Sequence, residues 1–195
     1  MLDFPMMPIR NQEPVIVDRL RMAFPEKLFT IERVPQVLTL TEFDRIARMA
    51  PFIGLAWTGM RPGSNNGRQL RGDMLWRLIL VNRVSSGLEA RFKGDAHEIG
   101  LDAMIDVSSV ILHGVSFDDL GTTTVTTANS IIADGYTEDD VAIAQVDFSF
   151  SFICPVGNTG LLTLDDFKSL GITWITNDAE EPVITETINP EESHA

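Results

Sequence analysis

Val141-Ala142-Ile143-Ala144-Gln145-Val146-Asp147-Phe148-Ser149-Phe150-Ser151-Phe152-Ile153-Cys154 alternates with a period of two. Ala142, Ala144, Val146, Phe148, Phe150 and Phe152 fall on one side, and Gln145, Asp147, Ser149 and Ser151 on the other. This spacing predicts a β-strand with one core face and one polar face. Upstream, Thr122 to Ile132 is rich in β-branched residues and predicts a neighbouring strand. Leu75 to Val84 contains the unbroken run Leu78-Ile79-Leu80-Val81, which suits a strand buried on both faces. Phe52 to Thr58 reads as its hairpin partner. The separator from Gly59 to Met74 is far longer than an ordinary hairpin loop, and long loops in compact domains tend to serve a function.

The helices follow from period and punctuation. Asn11 to Phe24 places Ile16, Leu20, Ala23 and Phe24 on one face, with Asn11 as cap, Pro14 in the first turn and Pro25 as stop. A short helix is expected from Thr41, capped by its hydroxyl with Asp44 three residues on, burying Phe43, Ile46, Ala47 and Ala50 before Pro51. The longest helix is expected from Asp95 to His113, with Asp95 and Glu98 as a capping arrangement and Gly114 just past the end. The order α, β, α, β, β, α, β, β predicts an α+β fold: two layers, a mostly antiparallel or mixed sheet, helices on one face, and a long hairpin arm. Residues 1–154 read as the domain and 155–195 as an extension. Asn177 to Ala195 holds six acids and no Lys or Arg, so a partly flexible acidic end is expected.

Composition narrows the function. In 195 residues, 15 Lys and Arg face 28 Asp and Glu, a formal charge of −13. That argues against a general nucleic-acid binder, which needs a cationic excess. The lone Cys154 makes neither an internal disulfide nor a cysteine-rich zinc site. The start has neither a basic region nor a long apolar one, so no signal peptide is expected. No run of about 18 apolar residues is present, so no membrane span is expected.

Catalytic patterns are weak. His97 and His113 stand sixteen positions apart, about 160° around a continuous helix, so they would not share a metal. Asp118-Asp119, Asp139-Asp140 and Asp165-Asp166 read as turn or helix-start acids. Asp134 to Asp140 fails the calcium-loop spacing, with Asp139 where a glycine belongs and Gln145 where the bidentate Glu belongs. Gly63-Ser64-Asn65-Asn66-Gly67-Arg68 lacks the Lys-Ser/Thr of a phosphate loop. Cys154, ending an apolar strand face, reads as core. No catalytic, cofactor or metal residue is assigned. The remaining local feature is charge: Arg61, Arg68, Arg71 and Arg77 lie between Gly59 and Arg77 with Asp73 as the only acid. An arm carrying Arg61, Asn65, Asn66, Arg68 and Arg71 suits contact with an acidic partner surface.

Taken in order, Phe52-Ile53-Gly54-Leu55-Ala56-Trp57, the arm, Trp76-Arg77-Leu78-Ile79-Leu80-Val81, Gly100-Leu101-Asp102-Ala103-Met104, and Ala133-Asp134-Gly135-Tyr136 leading into the strand at Ala142 resemble the Mu-like phage and prophage tail proteins. That family is similar in layout to the lambda-type tail terminator. The resemblance spans about 11–154. It implies a virion protein, assembled in the host cytoplasm, that forms a six-fold ring. The ring caps the tail tube protein, ends tube growth and offers a surface to the neck or head-completion protein, and to the sheath in a contractile tail. DNA would pass an acidic lumen without specific binding. A neck or head-completion ring protein is the alternative within that class. A small metal-dependent enzyme using Asp118, Asp119, Asp139 and Asp140 is the alternative outside it.

Overall fold

The computed structural model describes residues 8–64, 70–84, 87–95, 99–131 and 141–154, and the backbone of 170–174 and 184–188. In chain order the elements are α1 (Pro8–Arg21), β1 (Thr30–Arg33), α2 (Leu40–Arg48), β2 (Phe52–Pro62), β3 (Leu70–Arg83), α3 (Leu88–Lys93), α4 (Leu101–Leu112), β4 (Ser116–Phe117), β5 (Gly121–Ile131), β6 (Val141–Cys154), β7 (Leu170–Trp174) and β8 (Ile184–Ile188). Six strands form one sheet in the order β1-β2-β3-β6-β5-β4, and β7 with β8 forms a separate two-stranded sheet. β1 runs parallel to β2, and every other pairing in the large sheet is antiparallel. The fold is α+β, as expected.

The period-two reading of β6 holds along its length. Ala142, Ala144, Val146, Phe148, Phe150, Phe152 and Cys154 are buried in the main core, where Met74, Trp76, Leu78 and Leu80 of β3 lie on the same face. Ile16, Leu20 and Phe24 from the α1 segment, with Leu101, Met104 and Leu112 from α4, close this face. Burying each of these large side chains is worth about 1.5–3 kcal/mol. Trp76 is fully buried. Its Nε1 donates to Gln12 Oε1 at 3.1 Å, and the Arg33 guanidinium lies 4.7 Å from its ring centroid. Arg33 also pairs with Glu13 at 3.2 Å, so Trp76 and its neighbours link α1, β1 and β3.

Helices do not all lie on one face. Phe43, Ile46 and Ala47 of α2 pack with Phe52, Ala56, Ile79, Val81 and Ile143 on the opposite side of the sheet. The apolar run in β3 explains this: Leu78 and Leu80 serve one face while Ile79 and Val81 serve the other. Helical cover is therefore two-sided at one end of the sheet.

Three helix boundaries differ from expectation. α1 begins at Pro8, which leaves Pro14 inside the helix, where it offers no N–H to the preceding turn. α2 is capped by Thr39, two residues before the expected Thr41. The segment Thr39-Leu40-Thr41-Glu42-Phe43-Asp44 contains two overlapping Thr-x-x-acid patterns, and only the first forms a reciprocal box. Glu42 N donates to Thr39 Oγ1 at 3.3 Å, while Thr39 N donates to Glu42 Oε2 at 3.0 Å. α4 starts at Leu101 after Gly100, so Asp95 does not cap it, and Glu98 lies outside the described residues. The short α3 before it lacks a period or cap signal of its own in the sequence. Gly114, at φ 71°, follows the His113 cap as expected.

The α2 box makes one prediction. The Thr39 backbone N–H first, then its hydroxyl, then Arg45 hold the Glu42 carboxyl below its usual range. A carboxylate depressed in the folded state contributes stability above its unfolded pKa and loses it as pH falls through the folded value. Thr39→Ala should therefore be destabilising at neutral pH. In urea melts the gap between variant and parent should narrow under acid conditions. A gap independent of pH would mean the Thr39 hydroxyl adds nothing charge-dependent to the box, the backbone N–H of residue 39 being retained in the variant.

Candidate functional site

The expected arm is mostly sheet. β2 continues to Pro62 and β3 begins at Leu70, with Met60 opposite Met74, Arg61 opposite Asp73 and Pro62 opposite Gly72. A register shift between Trp57 and Gly59 absorbs one residue as a bulge. Gly72, at φ 156°, sits where a Cβ would run into the Arg61 carbonyl oxygen. These glycines mark a bulge and a close backbone approach rather than a loose loop. β3 pairs with β6 all the way to Leu70 opposite Cys154, so the hairpin is braced by a third strand. Its end closes further where Gly63 N donates to the Arg71 carbonyl at 2.9 Å.

Alternation places the charged residues together. Arg71, Asp73, Leu75 and Arg77 share one face of β3, and the register puts Arg61 on that face of β2. Arg71 and Arg77 are six residues apart, which is about 20 Å along the strand. Across from them on β6 stand Ile153, Ser151, Ser149 and Asp147, and on β5 stand Thr124 and Thr127. This is the same face that α2 covers at its other end. Beyond α2 these side chains are half-buried or exposed. Asn65, Asn66 and Arg68 lie outside the described residues.

One ion pair anchors the face. Arg77 Nε donates to Asp147 Oδ1 at 2.6 Å and Nη2 to Oδ2 at 2.9 Å. This fork-on-carboxylate geometry is the strong, directional form of an ion pair. The hydrogen bond to Asp147 raises the Arg77 pKa further, against a smaller opposing effect of burial. Sequence reasoning counts Arg77 only as part of the arm's charge and misses its partner. A signal is present: Asp147 is the lone charge on the polar side of a strand whose other side is apolar, and Arg77 stands where the apolar run of β3 gives way to charged residues. Beside the pair, under the loop before α2, lies a cavity of about 300 Å³ lined by Val37, Leu38, Phe43, Arg77, Ile79 and Ile143 among others. Val37 is 79% exposed and Leu40 73%, so apolar surface borders the open polar face.

The other sequence candidates are dispersed. His113 caps α4, and its Nδ1 accepts from Val125 N at 3.3 Å. His97 lies outside the described residues and before the start of α4, so the rotation expected for one continuous helix does not relate the two histidines. Asp118 and Asp119 occupy the turn between β4 and β5, with Asp119 at φ 60°. Asp134, Asp139, Asp140, Asp165 and Asp166 are outside the described residues. Among the described residues no group of three His, Cys, Asp or Glu side chains is placed to hold a metal ion. Cys154 is buried at the end of β6, and burial pushes its thiol pKa up. No helix among the described residues is long and apolar enough to cross a membrane. Comparison with protein-family models finds no match, and comparison with curated protein sequences finds none either.

Proposed function

We propose that this chain is a phage tail terminator: a subunit of a ring that caps the tail tube and ends its growth. It also presents a surface to the neck or head-completion protein and, in a contractile tail, to the sheath. The observation that carries the reading is the braced hairpin, which sets Arg61 and Arg71 on one open, polar sheet face in a chain of net charge −13. A preformed sheet face loses little entropy on docking, and a local cationic end in an acidic chain selects an acidic partner. Asn65, Asn66 and Arg68, between these strands in the sequence and outside the described residues, complete the contact in this reading. Interfaces of this kind need complementarity rather than a reacting group.

The test is charge reversal. A triple variant, Arg61→Glu, Arg68→Glu and Arg71→Glu, should yield overlong tubes in electron micrographs of assembling tails. Because Arg61 lies opposite Asp73, a thermal melt of the purified variant must accompany the images. Tails of normal length from a folded variant would remove the arginines from the capping contact. Finished tails lacking heads would favour the neck-protein reading instead.

A further inference from the structure

The two edges of the large sheet are built differently. At one edge β1 spans only four residues and carries Glu32 and Arg33, each engaged in an ion pair. Short, charged edges resist pairing with other chains. At the other edge β4 covers only the start of β5, pairing Ser116 with Thr122 and Phe117 with Gly121. Val115 O accepts from Thr123 N, and His113 Nδ1 accepts from Val125 N. From Thr126 onward, no strand among the described residues pairs with the outer side of β5. Thr126, Thr127, Ala128, Asn129 and Ser130 are all exposed. Gly121 to Ala133 contains no charged residue and no proline. This edge lacks the charges and prolines that commonly block strand addition.

The same chain holds a candidate donor. Beyond Cys154, β7 and β8 pair as an antiparallel hairpin, Leu170 opposite Ile188 through Trp174 opposite Ile184. They form a sheet of their own. A two-stranded hairpin is marginal in water until a further strand or layer joins it. Glu186 is the only charge in either strand, so the donor offers the uncharged acceptor edge little repulsion.

We propose that the β7–β8 hairpin of one copy adds to the open edge of β5, over Thr126–Ile131, in a second copy. Main-chain hydrogen bonds supply the contact, in the manner of strand augmentation. One donor and one acceptor at different places on each chain make a head-to-tail contact, which closes a ring when the rotation permits. The inference rests on the ring reading for its second copy, and it gives the extension after Cys154 a task.

The test uses full-length chains with single substitutions. Asn129→Cys protein and Thr187→Cys protein are mixed, oxidised and resolved on a non-reducing gel, beside a chain carrying both changes. Hydrogen exchange of the parent is followed by mass spectrometry, with native mass for oligomeric state. Expected are a covalent heterodimer from the mixture and exchange at 126–131 slowed about tenfold in the oligomer. An Ala128→Lys, Asn129→Lys variant and an Ile172→Pro, Glu186→Pro variant should each lose both signals with the melt of the main sheet retained. A parent that forms rings with freely exchanging 126–131 and no heterodimer overturns the augmentation and leaves the ring reading standing. A parent that stays monomeric beside tubes overturns both. Cross-linking only within single double-cysteine chains overturns the second copy as acceptor.

Discussion

Trp76→Ala is expected to lower folding stability by about 3–5 kcal/mol, a large fraction of the net stability of an ordinary domain. Trp76 is fully buried at the centre of the main core, and its removal would open a cavity that α1, β1 and the sheet cannot all close. The indole does more than fill space. Its Nε1 donates to Gln12 Oε1, while Gln12 is itself only 1% exposed. Trp76→Phe should therefore cost less than the alanine change, yet still about 1–3 kcal/mol, because it leaves a buried acceptor without its donor. Gln12→Leu in that background should recover part of the loss, since two apolar groups would then meet. Urea unfolding of the four proteins checks the series. A Trp76→Ala chain as stable as the parent would show that α1 is not seated on the sheet through this residue.

Asp147→Ala should cost about 1–3 kcal/mol, by leaving the Arg77 guanidinium without its carboxylate on a half-covered face. The pair retains about a quarter of its side-chain exposure, so the effect falls short of that for a fully buried ion pair. Arg77→Ala should behave similarly. The decisive measurement is the double change, Arg77→Met with Asp147→Val, whose loss should be smaller than that of either single change. A double variant whose loss equals the sum of the singles would mean the two side chains are not coupled. The comparison matters for function as well as stability, because the pair holds β3 against β6 beneath the row from Arg71 to Arg77. If that row is the tube-contacting face, the single variants should also cap less well at temperatures where they remain folded.

The long strands β2, β3, β5 and β6 are legible in the sequence because their signal is local, whereas β4, β7 and β8 are not anticipated there. Period two in β6, the two-sided apolar run in β3 and the β-branched stretch of β5 each place side chains by backbone geometry alone, whatever lies next to them. The core residues of α1 and α2 are legible for the same reason, at period 3.6. Boundaries are less so. Thr39 and Thr41 both head a Thr-x-x-acid pattern, and a local rule cannot choose between them. In the fold the first start forms the cap while Phe43, Ile46 and Ala47 settle on the sheet. The stretch from Gly59 to Met74 reads as a loop because glycine and proline are turn residues in most settings. β6 alongside β3 turns most of it into strand.

The amino-acid sequence by itself determined the fold class, the face that β6 buries, the two-sided burial of the apolar run in β3, the excess of acid, and the concentration of arginine between Gly59 and Arg77. Tertiary structure alone decided that Arg61, Arg71 and Arg77 share one face, that Arg77 is held by Asp147 seventy positions away, that α2 lies opposite α1 and α4, and that no strand among the described residues pairs with the outer side of β5 beyond Thr126. The division has one physical cause. Side-chain direction along a strand or helix is set by neighbours in the chain, whereas register, partner and cover are set by contacts between distant segments, and those exist only once the sheet has closed.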